Sequence, residues 1–282
     1  MKTILVPTDF SKNAYSALYC ATQLFAEEPC KFVILHSFED QVTNLTSRID
    51  IGKTEAVVEE LYTASDAKCD ALIERINLDA PNDAHYYTAT VTSLSLASAI
   101  NKLIVKEQAH FVVMGSKGST GANDILVGSN AMMMVQKIQK APLLIIPADF
   151  VCRPILNIAF ATGFKRAYLK SELRPLVYLA SLSNATIKVL HVHKKEKMTE
   201  DQRANFHDLF NILRDSQPES NWLPNDSDHY DAITSFIKKE QTDLLAMIYY
   251  KHNAIVRLFR EATVQKISKY SKIPFLILPA RD

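Results

Sequence analysis

Apolar residues fall into two kinds of run along this chain, and their alternation predicts the architecture. Short, nearly continuous runs come first: Thr3 to Val6, closed by Pro7, and Phe32 to His36. Such runs suit parallel strands covered on both faces. Between them Ala14, Ala17, Leu18, Ala21, Leu24 and Phe25 recur at spacings of three and four. That stripe predicts a helix over Ala14 to Phe25, with Ser11 placed to cap its start. A long polar connection, Glu39 to Gly52, precedes an amphipathic helix around Glu55 to Ile76, whose core positions are Val57, Val58, Leu61, Leu72 and Ile76. His85 to Val91 alternates as a strand, Leu94 to Lys106 is a helix, and Phe111 to Met114 is a strand. Ala131, Met134, Val135 and Ile138 mark one more helical stripe. Pro142 stops it before a last strand, Leu143 to Ile146.

The second half repeats this plan. Asn157 to Phe164 (NIAFATGF) aligns with Thr3 to Phe10 (TILVPTDF), and Thr186 to His191 (TIKVLH) with Lys31 to His36 (KFVILH). The endings match best: Val135 to Ile138 (VQKI) before Pro142 to Pro147 (PLLIIP) recurs as Val264 to Ile267 (VQKI) before Pro274 to Pro279 (PFLILP). We expect an internal duplication, with domains at 1–149 and 150–282. Alternating strands and helices with right-handed crossovers make each domain an α/β, doubly wound unit with a five-stranded parallel sheet flanked by helices, Rossmann-like in plan. Leu143 to Ile146 and Phe275 to Leu278 are apolar edge-strand candidates that need covering.

Glycine usage singles out one stretch. Of the six glycines, Gly115, Gly118, Gly121 and Gly128 crowd between a strand end and a helix start at Gly128, Ser129 and Asn130. Glycine lets a ligand approach the main chain, and the free N–H groups of a helix start favour an anion. Phosphate is the expected anion. Ser129 can cap the helix or donate to phosphate, Lys117 can reach phosphate as a point charge, and Ser116, Ser119 and Thr120 are further donors. No GxxxxGK[ST] occurs, so this is not a Walker A loop. Asp9, an acceptor-only carboxylate at the first strand's end, suits ribose hydroxyls or an exocyclic amine, although a plain turn carboxylate would look the same. Both sites lie at strand carboxyl ends, where open α/β sheets bind their ligands.

Gly115-x2-Gly118-x9-Gly128-Ser129 together with Val6 to Ser11 (VPTDFS) resembles the nucleotide-binding signature of the ATP-binding universal stress proteins, across two tandem domains. The resemblance implies a fold like that of the adenine nucleotide alpha hydrolases and an adenosine held between the first turn and the glycine loop. On that reading Pro7, Thr8 and Asp9 border the adenosine, and the main chain of Ser37 meets the base. Met114 and Gly115 pass under the ribose, and Gly118, Gly128, Ser129 and Asn130 hold the phosphates. The ligand is ATP, with ADP or AMP as alternatives, and Mg²⁺ can accompany it; Asp124 is a loop carboxylate of the type that helps hold such an ion, at a position the sequence does not fix. The family's closing strands pair domains, which here implies pairing within the chain; a homodimer and an unidentified protein partner stay open.

An ungapped alignment on Pro142 and Pro274 places Met247, Tyr250, Arg260 and Glu261 at the positions of Gly115, Gly118, Gly128 and Ser129. Gly163 takes the place of Asp9. Side chains there would fill the phosphate volume, so one nucleotide per chain is expected, in the first domain. The leading reading is a nucleotide-binding regulatory protein of the stress response rather than an enzyme. A slow ATPase or autophosphorylating protein using the same pocket, and a scaffold with no nucleotide, are the alternatives.

Composition narrows the classes further. At 282 residues, 48% of them apolar, the chain can bury full cores. No apolar run reaches the roughly 18 residues that span a bilayer, and the start shows no signal-peptide pattern, so a cytoplasmic protein is expected. A net charge of +1 leaves no electrostatic footprint for nucleic acid or an acidic membrane. Cys20, Cys30, Cys69 and Cys152 lack metal-ligand or CxxC spacing and read as reduced thiols.

Overall fold

A computed structural model of the chain describes residues 1–46, 51–117, 129–138, 140–192, 198–224, 229–249 and 273–280. The first half runs β1 (Lys2–Pro7), α1 (Lys12–Leu24), β2 (Cys30–Ser37), α2 (Glu39–Thr46), α3 (Ile51–Asp79), β3 (His85–Thr92), α4 (Leu96–Lys106), β4 (Phe111–Gly115), α5 (Ser129–Lys137) and β5 (Leu143–Ile146). The second half runs β6 (Asn157–Ala161), α6 (Lys170–Leu182), β7 (Thr186–Val192), α7 (Glu200–Leu213), β8 (Glu219–Leu223), α8 (His229–Lys239), β9 (Leu244–Tyr249) and β10 (Phe275–Pro279).

The polar connection after β2 is helical over much of its length, against expectation. Phe38 explains why. It is buried against Tyr62 of α3, ring centroids 4.7 Å apart, and its carbonyl accepts the N–H groups of Gln41 and Val42, which starts α2. Glu39 and Asp40 then sit in the first turn, where negative charge complements the helix dipole. No apolar period in the segment announces this.

The strands form one ten-stranded sheet in the order β3-β2-β1-β4-β5-β10-β9-β6-β7-β8. Read inward from either outer edge, each half has the same order. Every pairing is parallel except the central one, where β5 meets β10 antiparallel with Leu144 opposite Leu276. The two apolar closing strands therefore cover each other's edges. Alternate residues face opposite sides. Ile4, Val6, Val113 and Leu144 pack under α1 and α3, and that layer continues through Phe160, Ile248 and Leu276 beneath α6. Leu5, Val112, Met114 and Ile145 pack under α4 and α5, and that layer continues through Leu245, Met247 and Ile277 beneath α8.

This register corrects the ungapped alignment. Ile4 pairs with Phe111 as Ile158 pairs with Leu244, so Met247 stands where Met114 does and Ile248 takes the place of Gly115. A one-residue slip in a strand moves every side chain to the other face. The two methionines share one core layer, and Ile248 lies in the other.

Candidate functional site

Strand order reverses between β1 and β4, whose neighbours β2 and β5 lie on opposite sides. Such a switch point opens a crevice beyond the strand ends. On the β1 side the Thr8-Asp9-Phe10 turn is built almost entirely from its own polar groups. Thr8 N–H donates to Leu35 O at 2.8 Å and its Oγ1 accepts Phe10 N–H at 3.0 Å. Asp9 Oδ1 accepts Ser11 N–H at 3.0 Å, and Ser11 Oγ caps α1 by accepting Ala14 N–H at 3.2 Å. Asp9 thus orders its own turn, as the plain reading of that carboxylate holds. Phe10 adopts φ 62°, a left-handed conformation that is unfavourable for a bulky side chain. His36 holds it there: Nδ1 donates to Thr8 O at 2.9 Å and the ring lies 4.5 Å from that of Phe10. Burial keeps the His36 pKa below its ordinary value, opposed by the bond to Thr8.

On the β4 side the organising residue is one that sequence reasoning missed, Asn13. Its Oδ1 accepts Lys117 N–H at 2.8 Å and its Nδ2 donates to Ile146 O at 3.3 Å, while Ser116 N–H donates to the same carbonyl at 2.8 Å. The buried amide ties the first turn of α1 to the ends of β4 and β5. It also explains Gly115: a Cβ there would lie 2.7 Å from Asn13 Oδ1. Glycine at 115 makes room for Asn13. A signal was available, since Asn13 stands four residues before Ala17 and eight before Ala21, on the buried stripe of α1.

Ser116 follows, 2% exposed, and its Oγ has no hydrogen-bond partner among the described residues. An orphaned buried hydroxyl is uncommon and needs a partner. The remaining candidates spread around this point. Pro7 ends β1, and Met114 points its side chain into the α4/α5 core layer. Ser37, at the end of β2, gives its hydroxyl to Leu94 O at 2.7 Å, leaving its main chain as what it can offer a base. Ser129 and an exposed Asn130 open α5. Gly118, Ser119, Thr120, Gly121, Asp124 and Gly128 lie outside the described residues, as do Tyr250, Arg260 and Glu261 of the other half.

The second half has the same frame under a different cover. Thr162 N–H donates to Leu190 O at 3.0 Å, His191 Nδ1 donates to Thr162 O at 2.9 Å, and Phe164 has φ 53° with its ring 4.8 Å from that of His191. Here α7 closes over the turn. Gln202 Nε2 donates to Gly163 O and Asn205 Nδ2 to Phe164 O, each at 2.9 Å. Phe206 packs edge-on to Phe164 at 5.4 Å, and Trp222 lies beyond. Gly163 is not demanded by the backbone: its φ is not positive, and a Cβ would meet only the Lys165 side chain, at 3.6 Å.

Comparison with known proteins gives these residues a context. Residues 1–147 match the profile of the universal stress protein family. Among curated proteins none matches the chain at the significance required. In structure the chain is similar to a universal stress protein from Archaeoglobus fulgidus DSM 4304, at 16% identity and a TM-score of 0.59, over 99% of this chain and 97% of that one. It is also similar to a protein of unknown function from Pseudomonas aeruginosa PAO1, at 11% identity and TM-score 0.54, over 99% and 92%. The cytoplasmic domain of a prokaryotic cation chloride cotransporter is similar too, at 10% identity and TM-score 0.57, over 98% and 94%. At such identities the likeness is one of fold.

Proposed function

This chain belongs to the universal stress protein family, and from that premise we propose that it binds one adenine nucleotide, in its first half, as a regulatory protein of the stress response. The observation that carries the reading is the buried Ser116 hydroxyl, without a hydrogen-bond partner among the described residues, directly after β4 at the β1/β4 switch point. A phosphate or ribose oxygen is a partner it lacks. Pro7, Thr8 and Asp9 would border the adenosine, the Ser37 main chain the base, and Met114 and Gly115 the ribose. Ser116, Lys117, Gly118, Gly128, Ser129 and Asn130 would hold the phosphates of ATP, and any Mg²⁺ would arrive on the triphosphate. The chain's own contribution is a frame set in advance: Asn13 positions the loop entry, and the Thr8 turn is held by His36.

We read residues 1–149 and 150–282 as two copies of one unit, the second without a nucleotide site. The shared strand order and the shared Thr-x-Phe turn support duplication. Ile248 in place of Gly115, and the α7 amides on the turn carbonyls, support loss of the site. A bound nucleotide would reshape the glycine loop and so the surface a partner reads. Isothermal calorimetry with ATP on the full chain tests this: a stoichiometry near one is expected, and a value near two, or no binding, rejects it. Saturation at about 100 times the dissociation constant should stabilise the chain by about 2.7 kcal/mol. Gly128→Arg should abolish that gain.

A further inference from the structure

Two cysteines far apart in sequence meet at the seam between the halves. Cys20 lies on the buried side of α1, and Cys152 lies in the segment joining β5 to β6, half-buried against the same core layer. The Cys152 thiol donates to the Cys20 carbonyl oxygen at 3.9 Å, which brings the Cys152 sulfur to the turn of α1 that carries Cys20. We propose that Cys20 and Cys152 form an oxidisable pair, a modification site at which a small peroxide converts two thiols into a disulfide that staples the joining segment to α1.

The environments assign the roles. Cys152 is the more exposed, so it is the group that meets peroxide. Cys20 is buried, which keeps it from peroxide in solution and suits the resolving partner. The Cys152 thiolate attacks one peroxide oxygen. The O–O bond breaks, a sulfenic acid forms, and the departing hydroxide takes a proton to leave as water. Cys20 sulfur then gives up its proton and attacks the Cys152 sulfur; the S–O bond breaks and hydroxide leaves with that proton as a second water. Two thiols are oxidised and one peroxide is reduced. Cys30 and Cys69 do not compete, since both are fully buried and burial pushes each thiol up to about 11.

The test treats the full, reduced chain with hydrogen peroxide, blocks remaining thiols with N-ethylmaleimide, and maps the digest by mass spectrometry without reductant. The expected product is a peptide joining Cys20 to Cys152, lighter by two hydrogens and released by dithiothreitol. In Cys20→Ala, dimedone should trap a sulfenic acid on Cys152; in Cys152→Ser, Cys20 should stay reduced. Recovery of both residues as maleimide adducts from the native chain, at a peroxide dose that oxidises exposed methionine, would overturn the proposal. So would Cys152 linked to another chain, or carried on to sulfinic acid in preference to the disulfide.

Discussion

The Thr8 turn and the Thr162 turn are the same object seen twice, and what differs is the lid. Each has a threonine carbonyl bound by a histidine Nδ1 and a phenylalanine held at positive φ against that histidine's ring. Over residues 162–164, α7 supplies two amide donors to the turn carbonyls and an aromatic cluster that leaves Phe164 1% exposed. Beside residues 8–10, Lys68 of α3 places its Nζ 5.7 Å from the Phe10 ring. Beside the first turn stands Gly115 with Asn13 packed on it; beside the second stands Ile248, buried. The Gly163 and Phe164 carbonyls of the second turn are taken up by α7 side chains, whereas Asp9 orders the first turn from within.

The sharpest way to break this comparison is at the strand ends. Ile248→Ala should cost about 2–5 kcal/mol, because deleting buried methyl groups leaves a cavity; urea denaturation of the full chain checks it. A loss far below that would mean that Ile248 does not fill the place Gly115 leaves to Asn13. Next in size is Asp9→Gly, which gives the first turn the residue of the second. Losing a hydrogen bond between a charged group and the nucleotide should weaken ATP binding by about 1.5–3 kcal/mol, roughly ten- to a hundredfold. The reverse change, Gly163→Asp, should fold and bind no second nucleotide, and calorimetry on the pair of variants decides whether this position separates the halves.

Gly115→Ala comes third, at about 1–3 kcal/mol of overpacking. Its cost should shrink in an Asn13→Ala background, since the clash is with that side chain. Strict additivity in the double-mutant cycle would count against Asn13 as the reason for glycine there. The smallest effect is with pH. Burial depresses the His36 pKa below 6.5, so in acid the folded chain binds fewer protons than the unfolded one. The His36 contribution is therefore present above pH 6.5 and is lost as the pH falls through the depressed native value. His110, also depressed mainly by burial, adds to the same trend. His36→Asn should flatten the dependence of the thermal midpoint on pH without abolishing it.

Much of this was legible in the order of residues. The strand runs fell within a residue or two of β1, β2, β3, β4 and β5, and the stripe on Ala14, Ala17 and Ala21 marked the buried face of α1. α2 escaped because its start depends on Phe38 finding Tyr62 across a turn, and no local period records that contact. Asn13 escaped because a polar residue at a helix start reads as a surface position until the strand ends it bridges are known.

Apolar periodicity, the crowding of four glycines after Phe111 and the repeated endings are properties of neighbours along the chain. They determined the elements, the α/β plan and the place to look for a ligand. Only tertiary structure decided that β5 and β10 cover each other antiparallel, that Ile248 rather than Met247 answers to Gly115, and that Asn13 holds the loop entry. Those outcomes depend on which surfaces meet between distant parts of the chain. A single-residue shift in pairing, invisible to a ten-residue pattern, exchanges one face of a strand for the other.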